Sequence, residues 1–150
     1  MFRGVANLSL DAKGRMAMPA RYRDQLMACC GGKLIVTLDR DGCLLIYPLP
    51  NWEVIENELM KLPSMNPAVR AIQRLLLGHA TECELDGQGR LLIPGPLRQV
   101  AGLGRQIVLI GQGNKFELWD EAAWAAQREQ WMNEGSASEQ FNEALASLSI

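Results

Sequence analysis

Histidine is almost absent from this chain: His79 is the only one. The four cysteines, Cys29, Cys30, Cys43 and Cys83, form no C-x-x-C pair. A structural zinc site needs closely spaced paired ligands, so no metal is expected and the thiols read as reduced and mostly buried. No apolar run approaches the ~20 residues of a membrane span. The N-terminus, Met1-Phe2-Arg3-Gly4, has no basic segment followed by an apolar stretch, so no signal peptide is expected and a cytoplasmic location is the default. H-E-x-x-H, G-x-S-x-G and G-x-x-x-x-G-K-[ST] are all missing. The single Gly-Ser step, Gly135-Ser136, falls in a polar tail, and the lone histidine has no obvious nucleophile partner. The expectation is a protein that is no enzyme and takes no cofactor or small-molecule substrate.

An overall basic excess is also lacking. The 150 residues carry a net charge of −2, which by itself argues against nucleic acid. The distribution says otherwise. Residues 1–116 hold 14 Lys and Arg against 10 Asp and Glu, a balance of +4, whereas residues 117–150 hold Arg128 against 7 acids, a balance of −6. A basic body with an acidic C-terminal region is compatible with a DNA-facing surface at one end.

What is present is an internal repeat. Residues 10–23 read L-D-A-K-G-R-M-A-M-P-A-R-Y-R and residues 85–98 read L-D-G-Q-G-R-L-L-I-P-G-P-L-R. Six of these 14 positions are identical at an offset of 75: Leu10/Leu85, Asp11/Asp86, Gly14/Gly89, Arg15/Arg90, Pro19/Pro94 and Arg23/Arg98. Downstream, Lys33–Tyr47 followed by Trp52 aligns with Arg105–Trp119 followed by Trp124 at an offset of 72. Three extra residues are therefore expected in the first copy near Cys29-Cys30-Gly31-Gly32.

Each copy has the same order of parts. Asp11–Gly14 and Asp86–Gly89 are tight turns. Met16–Met18 and Leu91–Ile93 are short apolar strands, and Pro19 and Pro94 suit the first position of a following short helix. Leu34–Leu38 and Cys43–Tyr47 flank Asp39-Arg40-Asp41-Gly42, and Ile107–Ile110 and Phe116–Trp119 flank Gly111-Gln112-Gly113-Asn114, which are two hairpin signals. A helix capped by Asn51 places Trp52, Ile55, Leu59 and Leu62 on one face. A second opens with Asn66 as cap and Pro67, and stops at Gly78. A third is capped by Asp120 and carries Trp124, Arg128 and Trp131. The expected organisation is a first repeat with its closing helix over 1–62, a linking helix over 63–80, a second repeat over 81–132 and a polar, partly disordered tail over 133–150. Neither repeat is long enough to bury a core alone, so the two are expected to interleave in one β-rich unit.

The doubled motif D-x-x-G-R-x-x-x-P-x-x-x-R resembles the MraZ family of bacterial regulators, with two tandem SpoVT-AbrB-type motifs. The likeness extends from Met1-Phe2-Arg3-Gly4 to about Trp124, through Arg74–Ala80 and Lys115–Asp120. The resemblance implies a mainly β fold with short helices (α+β), a pseudo-symmetric AbrB-like, double-psi-type barrel of two interleaved β-β-α-β halves. It also implies ring-like homo-oligomers that bind double-stranded DNA at short direct repeats upstream of the division and cell-wall operon containing their own gene, usually as repressors, on the nucleoid. The competing classes are a protein-interaction module without DNA binding and an AbrB-like antitoxin, which usually carries a single motif.

The residues point to the first copy as the DNA face. Arg15 follows the turn glycine, where a planar guanidinium suits phosphate or a guanine edge; the alternative is a salt bridge to Asp11. Arg3, Lys13 and Arg21 surround that turn. Arg23 is a further candidate for phosphate. Arg90 is the weaker counterpart of Arg15, because Gln88 and Pro96 replace Lys13 and Arg21 and the acids Glu82 and Glu84 precede its turn. Asp11, Gly14, Pro19, Asp86, Gly89 and Pro94 are read as the structural frame of the motif. Arg98 is expected to pair within or between subunits. Trp52, Trp124 and Trp131 are read as core or interface anchors, and His79 as a satisfied helix-end histidine.

Overall fold

The computed structural model describes residues 1–135 and 138–148. Strand β1 (Phe2–Ser9) leads through the first turn to β2 (Arg15–Ala17), α1 (Ala20–Cys30), β3 (Lys33–Leu38), β4 (Leu44–Pro48) and α2 (Leu49–Lys61). Helix α3 (Pro67–Leu76) links to β5 (Thr81–Glu84), β6 (Arg90–Leu92), α4 (Gly95–Val100), β7 (Gln106–Gly113), β8 (Phe116–Asp120) and α5 (Glu121–Gly135). A last helix, α6 (Glu139–Ala146), lies in the tail expected over 133–150, of which 136–137 and 149–150 are outside the described residues.

The two repeats interleave. The six-stranded sheet runs β1-β7-β8-β4-β3-β5, and a separate ribbon pairs β2 with β6. Exchanging the copies reverses the order of the six strands, so a pseudo-two-fold passes between β8 and β4. Each copy's leading strand pairs with the other copy's hairpin: Phe2 lies opposite Gly113 on one side and Lys33 opposite Glu84 on the other. The ladder ends at β1 and β5. The ribbon lies against both ends, with β2 contacting β1 and β6 contacting β5.

One core serves both repeats. Met16, Met18, Leu91 and Ile93 from the ribbon segments meet Leu34, Val36, Leu44 and Ile46 of the first hairpin and Ile107, Leu109, Phe116 and Leu118 of the second. Side chains alternate along a strand, so the intervening residues face away from this core. They are buried as well: Ile35, Leu45 and Tyr47 lie against Trp52 and Leu59 of α2, while Val108, Ile110 and Trp119 lie against Trp124 of α5. Burial on both faces explains the continuous apolar runs of β3, β4 and β7.

Five sequence expectations are corrected. Pro19 and Pro94 are not the first helical residues; with ψ of 139° and 137° they are still extended and serve as the N-caps of α1 and α4. Helix α2 starts at Leu49 after Pro48, ahead of Asn51. Helix α3 keeps its Asn66 cap, whose side chain accepts the Ala68 N–H at 2.9 Å, but ends at Leu76 rather than Gly78. Finally, β7 continues through Gly113 because β1 holds it to that point. In register, Leu34 faces Pro48 where Ile107 faces Asp120, which sets the offset between β3 and β7 at 73, not 72. The 72 offset holds only after the hairpin turn, which is one residue shorter in the second copy. A one-residue slip would turn each side chain of β7 to the wrong face.

Candidate nucleic-acid interface

The two D-x-x-G-R turns are built alike. Asp11 Oδ1 accepts the amide N–H groups of Lys13 and Arg15, both at 2.9 Å, and Oδ2 accepts Arg15 Nε at 2.7 Å. Asp86 repeats this with Gln88 and Arg90, its Oδ2 taking Arg90 Nε at 3.0 Å. The backbone N–H of Arg15, ahead of the other hydrogen bonds and its charge, holds the Asp11 carboxyl down at about 2. Asp86 is lowered in the same way by Arg90. The salt bridge set against DNA contact for Arg15 is therefore formed, but it engages only Nε; the two Nη groups have no protein partner among the described residues.

The ribbon joins what the sequence kept apart. Arg15 pairs with Leu92, Met16 with Leu91 and Ala17 with Arg90. Met16 and Leu91 point into the core, so Arg15, Ala17, Arg90 and Leu92 share the outward face. Arg15 and Arg90 are diagonal neighbours there, a relation that normally separates Cα atoms by ~7–8 Å. Nothing local in either motif announces this pairing.

The turn glycines have a partner that sequence reading missed. Gly14 and Gly89 take φ of +85° and +73°, and a Cβ on either would sit 2.6 Å from a guanidinium Nε, that of Arg98 over Gly14 and that of Arg23 over Gly89. Each arginine of the motif thus crosses to the other copy's turn. Each is also fixed by a carbonyl of its own copy, Arg23 Nε donating to Met18 at 2.6 Å and Arg98 Nε to Ile93 at 2.9 Å. Reciprocal backbone bonds, Met18 N–H to the Gly89 carbonyl and Ile93 N–H to the Gly14 carbonyl, both 3.0 Å, lock the same crossing. The invariant spacing from Gly to Arg within the motif was the available signal.

The remaining candidates divide. Lys13 is exposed at the first turn beside Arg15. Arg3 and Arg21 lie together elsewhere: the Tyr22 hydroxyl donates to the Arg3 carbonyl, and the Arg21 guanidinium stands 4.8 Å from the Tyr22 ring centre, beside Gly4. Arg3 sits at the far end of β1 from the turn, six residues of strand from Ser9, or roughly 20 Å. Arg3 and Arg21 therefore do not surround the turn, because β1 carries Arg3 away along the sheet edge. His79 is a helix-end histidine, its Nδ1 2.9 Å from the Leu75 carbonyl.

Among the described residues, one trio has metal-ligating atoms within 4.8 Å of one another: Asp39, Cys43 and Glu117. Burial, then the carboxylates of Glu117, Asp39 and Asp41, push the Cys43 thiol up, and Glu117 accepts the Trp119 indole N–H at 2.9 Å. No described helix is long and apolar enough to cross a membrane.

The pattern of the MraZ protein family, described as antitoxin-like, matches this chain twice, over residues 1–75 and 76–147. A protein of Thioalkalivibrio sulfidiphilus named transcriptional regulator MraZ is 61% identical over 150 residues, covering 100% of both chains. One of the same name from Methylococcus capsulatus is 60% identical over 91% of this chain and 90% of its own. Another, from Yersinia pestis, is 53% identical with 100% coverage of both. With two matches spanning the whole fold and relatives this close, the chain belongs to the MraZ family.

Proposed function

We propose that this chain is a sequence-specific DNA-binding transcriptional regulator. It binds short direct repeats in the promoter of the division and cell-wall operon that includes its own gene, and represses it as a ring-like homo-oligomer on the nucleoid in the cytoplasm. The observation that carries this reading is the ribbon face: Arg15 and Arg90 stand together on one outward surface, each gripped through Nε by its turn aspartate. An arginine oriented by one carboxylate keeps its remaining donors for phosphate or a base edge. The name carried by the relatives supports the same class of activity. Residues 1–62 and 81–132 act as the two repeats, 63–80 as their link and 133–150 as a polar tail.

Lys13 and Arg15 supply the main contacts, with Arg90 secondary and Arg3 and Arg21 reaching phosphates farther along the site. Arg23 is first a packing residue for Gly89 and touches phosphate only through its outer nitrogens. So few cations per protomer bind non-specifically with a Kd of about 10⁻⁴ to 10⁻⁶ M. An oligomer on successive repeats gains roughly 10² to 10⁴ in avidity. The test is a gel shift with the DNA upstream of the gene. Arg15→Ala is expected to abolish the complex with fold and oligomer size kept, and Arg90→Ala to do less. Full operator affinity in Arg15→Ala would overturn the placement of the DNA face. No complex with the wild-type protein would favour the antitoxin-like interaction module.

A further inference from the structure

Interleaving brings a second-repeat cation to the first-repeat turn. The Leu10 N–H donates to the Arg105 carbonyl at 2.8 Å, which sets Arg105 beside Asp11 at the foot of β7. An open cleft of about 480 Å³ lies between the repeats here, with Leu10 and Asp11 on one wall and Arg98, Leu103 and Arg105 on the other. The second wall is held in place: the Leu103 N–H donates to the Arg98 carbonyl at 2.9 Å and the Gly104 N–H to Asp120 Oδ1 at 3.0 Å. Arg105 is exposed and forms no ion pair among the described residues. The two acids nearby are engaged, Asp11 by Arg15 and two amides and Asp120 by the amides of Gly104 and Ala123.

The pseudo-symmetric place differs in charge. At the second turn the Leu85 N–H donates to the Gly32 carbonyl at 2.9 Å, so a glycine stands where the first turn has Arg105. The next residue, Lys33, lies directly opposite Glu84, whereas the matching pair at the first turn is Ser9 and Gln106, joined by a 3.1 Å hydrogen bond. One turn has an arginine beside its cleft, and the other a glycine followed by a lysine that faces a glutamate on the neighbouring strand.

We infer that Arg105 binds a backbone phosphate of the DNA in this cleft, so that the DNA face is a composite of the first repeat's turn and the second repeat's β7. The inference rests on the DNA-binding reading above. A phosphodiester oxygen suits the site because it accepts from an exposed guanidinium with no ion pair of its own among the described residues, without requiring any base sequence.

The experiment measures Kd by fluorescence anisotropy on operator and scrambled DNA over a salt series, for the wild-type protein, Arg105→Ala, Arg105→Lys and Lys33→Ala. Arg105→Ala is expected to weaken both DNAs alike and to flatten the slope of log Kd against log [salt] by roughly 0.9 per engaged protomer. Arg105→Lys should restore the slope, and Lys33→Ala should leave it at the wild-type value. Circular dichroism and light scattering check that each variant keeps its fold and size. A wild-type slope in folded Arg105→Ala would overturn the inference, as would weakening confined to the operator, which would make Arg105 a base reader. Failure of the wild-type protein to bind either DNA would instead overturn the DNA-binding reading itself.

Discussion

At Gly14 and Gly89 two constraints coincide, a left-handed backbone and an arginine stacked where a Cβ would go. An L residue in that backbone region costs about 1–2 kcal/mol, and the displaced guanidinium adds to it. Gly14→Ala and Gly89→Ala are each expected to lower stability by roughly 2–3 kcal/mol in urea denaturation. Combining Gly14→Ala with Arg98→Ala removes the collision but not the backbone cost, so a double-mutant cycle should report the collision as its coupling energy, while the backbone cost remains in the double variant. The turn aspartates set a pH limit as well. A carboxylate with a depressed folded-state pKa stabilises the fold above its unfolded value and stops doing so as pH falls through the folded one. For Asp11 that window runs from 3.8 down to about 2, and Asp86 shifts in the same direction. The wild-type denaturation midpoint should therefore fall across this window, and Asp11→Asn should show a shallower fall when the same acid titration is followed by circular dichroism.

At the level of the element, the exchange of leading strands decides which pieces fold. β1 finds its partner in β7 and β5 in β3, and Phe116 of the second repeat stacks on Phe2 of the first with ring centres 4.3 Å apart and meets Tyr22 edge-on at 4.9 Å. Phe116→Ala should cost about 3–5 kcal/mol, and fragments 1–75 and 76–150 should each lack a cooperative melt alone and regain one when mixed. Much of this was legible in the sequence: the doubled motif, the Asp39–Gly42 hairpin and the Asn66-Pro67 helix start are local signals, and the structure contains each. Strand β1 was not. Its inward positions are Phe2, Gly4, Ala6 and Leu8, two of them too small to mark a face, and Val5 looks outward at 50% exposure, so the alternation is blurred. The offset error came from the same source. Apolar residues on both faces of β3 and β7 make neighbouring registers read alike, and only the pairing with β4 and β8 separates them. In the candidate site, Arg15, Lys13 and Arg90 were readable from their motifs. The ribbon that unites them, the crossed Arg23 and Arg98, and Arg105 depend on contacts between residues far apart in the chain, which no local pattern encodes.

For the whole molecule, the proposed function combined with the charge asymmetry between the two turns gives a fold of near two-fold symmetry one strong DNA face per protomer. Repeated binding must then come from repeated protomers. An oligomer that engages 6–10 phosphates should lose about 10³ to 10⁵ in affinity between 50 and 200 mM salt; a loss below roughly tenfold, measured by anisotropy, would mean that single protomers bind alone. The strand exchange also has a consequence for the timing of synthesis. Phe2 pairs with Gly113, so at a translation rate of roughly 5–20 residues per second the first strand to leave the ribosome waits on the order of 5–20 s for its partner. During that interval the first turn has been made, but the residues that brace it, Arg98 stacked on Gly14 and the Arg105 carbonyl that receives Leu10, have not. Under the proposed function, a chain that stops before α4 lacks these braces on its first turn and should not compete for DNA.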